Sequence, residues 1–251
     1  MEHSIMNKEN VCFPFDDLEE NKNIKVFCFS HAGGSALIFR KWLKRDSEIE
    51  VIPVELPGKG TRIGEEAITD FEKLTEQLSQ SIAKKINNER FYLFGHSMGA
   101  IIAFDIASKL EKIHEIKPEK LIVVGRQAPH FPNEDKFKSY MGDEALIDEM
   151  KRVNGTPKEF FENEAFLEFM IPIIRNDYKL NESYEYKGEK INIPIIAHSA
   201  KYDYEADEGI MSHWSEVTNN TFKLKSFNGD HFFIYDEKMN YYRELIKEIK
   251  I

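Results

Sequence analysis

Cysteine is nearly absent from this 251-residue chain: only Cys12 and Cys28 occur. Two thiols cannot build a disulfide framework, and Cys28 lies in a strand-like apolar run where a buried free thiol is expected. Long apolar runs are also missing. None approaches the ~20 residues that cross a bilayer, and the opening MEHSIMNKEN has no signal-peptide core. Positive charge is in deficit: 34 Lys and Arg stand against 44 Asp and Glu, a net charge of -10. That argues against general nucleic-acid binding, which needs clustered cations to neutralise phosphate. No internal repeat or low-complexity segment occurs. These absences lead to an expectation of a cytoplasmic globular protein without membrane contact.

Short apolar runs alternate with helical stretches. Strands are expected at 24–30, 49–56, 91–95, 120–125, 193–199 and 221–227, several of them apolar on both faces as in a buried parallel sheet. Helices are expected at 35–45, 69–87, 98–112, 207–217 and 236–250. The alternation predicts an α/β fold, a mostly parallel sheet with helices on both faces, in one domain over 1–251. More than sixty residues separate the fourth and fifth strands, where a crossover needs about a dozen. Such a stretch should carry its own helices, with candidates at 143–153, 157–170 and 171–180. Pro157 suits the first turn of the second. The aromatics Phe131, Phe137, Tyr140, Phe160, Phe161, Phe166 and Phe169 could form the core of this insertion (about 130–190), line an apolar channel beneath a helical lid, or both.

The stretch FYLFGHSMGAIIAFDIA centres Ser97 in a Gly-x-Ser-x-Gly pattern. A strand before it and a helix after it put the serine on a tight exposed turn, as a nucleophile requires. The glycines allow the sharp turn and close helix packing. The helix start offers N–H groups and positive dipole to a developing oxyanion.

A serine nucleophile needs a base, and the base an orienting acid, in the chain order Ser, Asp or Glu, His. His3, His31 and His96 precede Ser97. His114 reads as solvated, His198 as packed in the core, and His213 as part of a helix; His130 could line a lid mouth. His231, in SFNGDHFF, follows the last strand on a loop that can reach the serine. Asp203, Glu205, Asp207 and Glu208 follow the fifth strand. Asp203 is favoured as the acid, because Asp207 suits a helix N-cap. The oxyanion donors are expected to be the N–H of Met98 and one from FSHAGGSALIF, with Ala32 first and Gly33 next.

The segments CFSHAGGSALIFRKW, ELPGKGTR, FGHSMGA, RQAPH, IIRNDYKL and FNGDHFFI resemble, in that order, the landmarks of type II thioesterases, α/β-hydrolases associated with non-ribosomal peptide and polyketide synthases. The resemblance spans roughly 12–250. It implies hydrolysis of acyl groups from the phosphopantetheine thiol of carrier proteins, with Ser97, Asp203 and His231 as the triad, Ala32 and Met98 as the oxyanion hole, and a mobile lid. It implies no metal and no cofactor beyond the substrate's own phosphopantetheine, and leans towards a monomer. Ala200 and Asp230 stand where the family often has glycine. Partners would be acyl or peptidyl carrier domains. These are commonly acidic, so docking on an acidic enzyme needs a local basic patch. Arg40, Lys41, Lys44 and Arg45 are the first candidates, and Lys59 and Arg62 the second. A small-molecule carboxylesterase or acyl-CoA thioesterase on the same scaffold, and an inactive binding module, are the competing readings.

Overall fold

All six expected strands form, and they pair in parallel. The computed structural model describes residues 11–16, 22–132, 136–236 and 240–250. Strands β1 (Ile24–Phe29), β2 (Ile49–Pro53), β3 (Arg90–His96), β4 (Lys120–Val124), β5 (Ile195–Ala200) and β6 (Phe222–Phe227) lie in the order β2-β1-β3-β4-β5-β6. The chain steps outward from β1 to β2, crosses back to β3, and then proceeds in one direction. The reversal falls between β1 and β3, and ligands of open α/β sheets bind at the carboxyl ends of strands at such a point. Phe29 pairs with Gly95 in register, so the loops after β1 and β3 leave the sheet side by side.

Alternating side chains along β1 feed two cores. Phe27 and Phe29 face a core built with α1 (Phe71–Lys85), α2 (Met98–Lys112) and α5 (Glu208–Ser212). Val26 and Cys28 face the other, closed by a 3-10 helix over Ala36–Trp42 and by α6 (Tyr241–Ile249). Helices therefore cover both faces, as the apolar strands require. β6 forms one edge. Its Lys223 and Lys225 reach Glu248 and Glu244 on α6, which keeps charge on an edge that could otherwise pair with another chain.

Several helical expectations change in detail. The 35–45 stretch is 3-10 rather than α, and 207–217 is α5 followed by a 3-10 turn over His213–Val217. Asp207 caps α5 by accepting from the Ile210 N–H. The last helix, expected from 236, starts at Tyr241; residues 237–239 of that expectation lie outside the described residues. Between β4 and β5, α3 spans Asp143–Val153 as expected. The two helices expected at 157–170 and 171–180 are divided elsewhere. Pro157 precedes a short 3-10 helix, Lys158–Glu162, and one helix, α4 (Glu164–Glu182), runs on through Pro172. Asn163 sets the α4 start by accepting from the Phe166 N–H. Proline inside a helix removes one backbone donor, but contacts along α4 hold it: Arg175 bonds the Ser139 and Met141 carbonyls, and Arg126 bonds Asn181. No helix among the described residues is long and apolar enough to cross a membrane.

Candidate active site

The sharp turn between β3 and α2 dictates the site. Ser97 has φ 55 and ψ -120, a conformation costly for a residue with a side chain. Its N–H donates to the Val124 carbonyl on β4 (2.8 Å), which fixes the turn from below. The flanking glycines answer to backbone contact. A Cβ on Gly95 would sit 2.1 Å from the Gly99 carbonyl oxygen, and one on Gly99 would sit 2.3 Å from that of Phe29. Ser97 and Met98, the first residue of α2, line a cavity of about 310 Å³.

His231 lines the same cavity from the loop after β6. Its Nδ1 lies 2.8 Å from Asp203 Oδ2. An ionised carboxylate only accepts, so His231 donates from Nδ1 and its Nε2 keeps the lone pair. Asp203, three residues past β5, is buried, and its Oδ1 accepts from the Glu205 N–H. Neither Ala200 nor Asp230 has a positive φ, so the glycines common at those positions are not required for the pair to form. Glu205 instead bonds Arg152 on α3.

Two histidines preceding Ser97 pack beside the His231 loop. His96 Nε2 donates to the His231 carbonyl (2.8 Å) while its Nδ1 lies 3.2 Å from the Tyr235 hydroxyl. His31 Nδ1 donates to the Ala32 carbonyl (2.8 Å), and its ring meets those of His96 and Phe232 edge-on. Burial pushes the His31 pKa down to about 4 and that of His96 well below the usual value, with His231 adding to both. Both rings are therefore neutral near pH 7. Chain order had set these histidines aside as bases; the quoted motifs that contain them were the available signal.

His198 is a core residue, as expected: it is fully buried, its Nδ1 lies 2.6 Å from the Tyr241 hydroxyl, and burial takes its pKa to about 3. Unfolded histidine titrates near ~6.5. Because the folded values of His31, His96 and His198 are lower, their stability contribution is complete above pH ~6.5 and is lost as pH falls towards the folded values, where unfolding takes up protons. His198 lies away from the cavity. His198→Gln is expected to reduce that uptake by about one proton, read as the slope of urea-unfolding free energy against pH. An unchanged slope would contradict the assignment.

The loop after β1 carries the second expected oxyanion donor. The Ala32–Gly33 peptide is held on both edges. Its carbonyl accepts from His31, and the Gly33 N–H donates to Asp177 Oδ2 on α4 (2.6 Å). Gly33 is thus committed elsewhere, which leaves Ala32 as the candidate in this loop. Lys59 Nζ reaches the same Asp177 oxygen (2.5 Å), and both side chains are buried. Lys59 therefore cannot serve as a surface docking residue, a correction that follows from this pairing. Arg62 is engaged with Glu65 and the Glu55 carbonyl. Arg40, Lys41, Lys44 and Arg45 are all exposed. Lys41 and Arg45 border a second groove that shares His31, Gly33, Gly155 and Phe232 with the Ser97 cavity, and Arg45 stacks 5.0 Å over the Tyr242 ring.

The aromatics of the insertion divide between the two roles considered. Phe137 is core, packed with Leu146, Met150 and Ile174. Phe160 and Phe166 pack with tilted rings, centroids 4.6 Å apart, and line the cavity beside Met170 and Ile174. Tyr140 and Phe169 do neither and are exposed. His130 borders a separate hollow and pairs with Glu216, as does His213. His114 is half-buried rather than solvated, 3.4 Å from the Ser79 hydroxyl.

A thioesterase domain model matches residues 24–250. The linear gramicidin dehydrogenase LgrE of Brevibacillus parabrevis is 34% identical over 86% of this chain and 83% of its own length. The gramicidin S biosynthesis protein GrsT of Aneurinibacillus migulanus is 30% identical over 99% and 97%. The solved structure of the type II thioesterase BorB, from the borrelidin biosynthetic cluster, is 29% identical with a TM-score of 0.81, covering 91% of this chain and 94% of that one. The first of these names is a dehydrogenase. The 13 glycines here form no G-x-G-x-x-G, so the dinucleotide fingerprint that such chemistry uses has no counterpart. The domain match covers both strands and loops that build the cavity, and the ordered motifs agree with it: the chain belongs to the thioesterase domain family, with the sequence landmarks and fold of the type II enzymes.

Proposed function

We propose that the protein hydrolyses acyl groups from the phosphopantetheine thiol of carrier domains serving a non-ribosomal peptide or polyketide synthase, clearing misprimed or stalled carriers. The observation that carries this reading is the His231–Asp203 hydrogen bond on the wall of the cavity onto which Ser97 opens. Neutral His231 accepts the Ser97 hydroxyl proton at Nε2 as Oγ attacks the thioester carbonyl carbon. The oxyanion accepts from the Ala32 and Met98 N–H groups. The carbon–sulfur bond breaks, and the pantetheine sulfur leaves with the proton held by His231. Water then attacks the acyl-serine, with His231 again the base, and releases the acid and the serine hydroxyl. Asp203 orients the imidazole and stabilises its charged form. The chain supplies every group this sequence needs, without metal or cofactor.

In this reading α3 and α4 form the lid of a single hydrolase domain, and the enzyme works as a cytoplasmic monomer. The apolar wall of Met170, Ile174 and Phe166 suits an acyl chain. The test compares kcat/KM for one acyl group on a carrier domain, on CoA and on a simple oxyester. The carrier is expected to be best; preference for CoA or the oxyester would overturn the carrier assignment.

Exposed Arg40, Lys41, Lys44 and Arg45 offer the carrier a cationic face on a chain of net charge -10. Reversing these four charges to Glu is expected to raise KM for the acyl-carrier about tenfold or more at low salt, from altered steering and docking, while acyl-CoA turnover stays within about twofold. Equal effects on both substrates would remove the patch from docking.

A further inference from the structure

The oxyanion loop is not held by its own strand alone. Helix α4, which walls the cavity, grips it at Gly33 with two residues one turn apart. Asp177 Oδ2 accepts from the Gly33 N–H, and a Cβ on Gly33 would lie 3.0 Å from Ile174 Cγ1. Gly33 also has φ +78, where a side chain would be strained. Lys59, carried by the loop after β2, neutralises Asp177 inside the protein. That loop is itself fixed by buried Glu55, which accepts from the Ala36 and Thr61 N–H groups. Three separate segments, 31–36, 59–61 and α4, thus converge on the peptide that follows Ala32.

We infer that Asp177 is a positioning residue that locks the oxyanion loop to the helix over the cavity, so that the oxyanion hole is assembled only while α4 is docked. The inference rests on the triad reading above. The Gly33–Asp177 bond fixes the plane of the Ala32–Gly33 peptide, and the bond from His31 Nδ1 to the Ala32 carbonyl ties that peptide back to the residue before it. Together they restrain the Ala32 torsions that aim its N–H. Moving α4 outward draws Asp177 and Ile174 away together, frees that peptide, and removes one donor from the transition state. The acyl cavity and the hole share α4, because Met170, Ile174 and Tyr178 line the former. Acyl binding against α4 and oxyanion stabilisation are thereby coupled, and hydrolysis is suppressed while the site is open.

The test compares Asp177→Leu with Asp177→Asn, each combined with Lys59→Met so that no buried ammonium is left unpaired. Leucine removes the acceptor for Gly33, and asparagine restores one. The readouts are kcat and KM on an acyl-carrier thioester, affinity for a trifluoromethyl ketone analogue that adds Ser97 and forms an oxyanion, and affinity for a non-reactive amide analogue. For the leucine variant, kcat is expected to fall about 10²-fold, the scale of losing one oxyanion donor. Ketone affinity falls by a similar factor, while KM and amide affinity stay within about threefold. Asparagine is expected to recover at least tenfold of the loss. Equal weakening of ketone and amide, or no difference between leucine and asparagine, overturns the positioning role. If the leucine variant does not fold, hydrogen exchange in the wild-type protein decides. The Gly33 amide is expected to exchange together with the α4 amides around Asp177; exchange at the rate of a free loop amide overturns the inference. A wild-type protein that neither cleaves thioesters nor binds the ketone would instead refute the Ser97 reading, whatever the Gly33 amide does.

Discussion

Replacing Ser97 with alanine is expected to lower kcat by about 10⁴–10⁶-fold, the cost of deleting the nucleophile of a serine triad. Carrier binding should persist, because the hydroxyl contributes to bond making rather than to docking. The fold should persist as well. The strain at φ 55 belongs to the backbone, which the Ser97 N–H bond to Val124 and the close approach of Gly95 and Gly99 impose. Alanine suffers the same strain as serine there. Turnover measured on an acyl-carrier thioester, alongside thermal unfolding, separates the two effects. Activity near the wild-type level would remove Ser97 from its role.

Gly99→Ala is expected to act through the fold. Its Cβ would meet the Phe29 carbonyl oxygen at 2.3 Å and the Ser30 carbonyl oxygen at 2.7 Å. Both are backbone atoms at the end of β1, so no side chain can swing aside. Relief requires α2 to lift from the sheet or the loop after β1 to move, and either displaces backbone around the cavity. The cost should reach at least about 3 kcal/mol, the upper range of overpacking, a large share of the ~5–15 kcal/mol that holds a typical protein folded. Gly64 is the control, since a Cβ there meets nothing within 4 Å. Urea unfolding should find Gly64→Ala within about 0.5 kcal/mol of wild type and Gly99→Ala severely destabilised or unfolded. Near-equal stabilities would mean that the elbow tolerates a side chain.

The sheet was legible because its physics is local. β1, β3 and β4 are apolar on both faces, as strands buried inside a parallel sheet are. The Ser97 turn was legible for a related reason, since glycines two residues to either side mark a close backbone approach. Asp203 and His231 could be singled out by chain order together with their places on the loops after the fifth and last strands, and the structure brings them to 2.8 Å.

What stayed hidden depends on tertiary contact. Lys59 looked like a surface cation, but its partner Asp177 lies 118 residues away, and no periodicity links the two. The helices expected at 157–170 and 171–180 are not divided at that point; α4 runs unbroken through Pro172, held along its length by contacts from Arg175 and Arg126. The aromatic insertion had two readings, and individual rings took different ones: on α4 Phe166 lines the cavity while Phe169 is exposed, and Phe137, outside the helices, packs against Leu146 and Ile174. His31 and His96 were set aside as bases by their order in the chain, and their contacts with Ala32 and His231 appear only in three dimensions.

The central claim, that this chain discharges acyl groups from carrier-bound phosphopantetheine, is tested most directly by intact-protein mass spectrometry. A panel of carrier domains, each loaded with a short or long acyl group, is incubated with the enzyme. The account predicts that the carrier mass falls by that of the acyl group, leaving the free phosphopantetheine thiol, and that Ser97→Ala leaves the acyl-carrier intact. Carriers that keep every acyl group tested, under conditions where the same enzyme cleaves a simple ester, would contradict it.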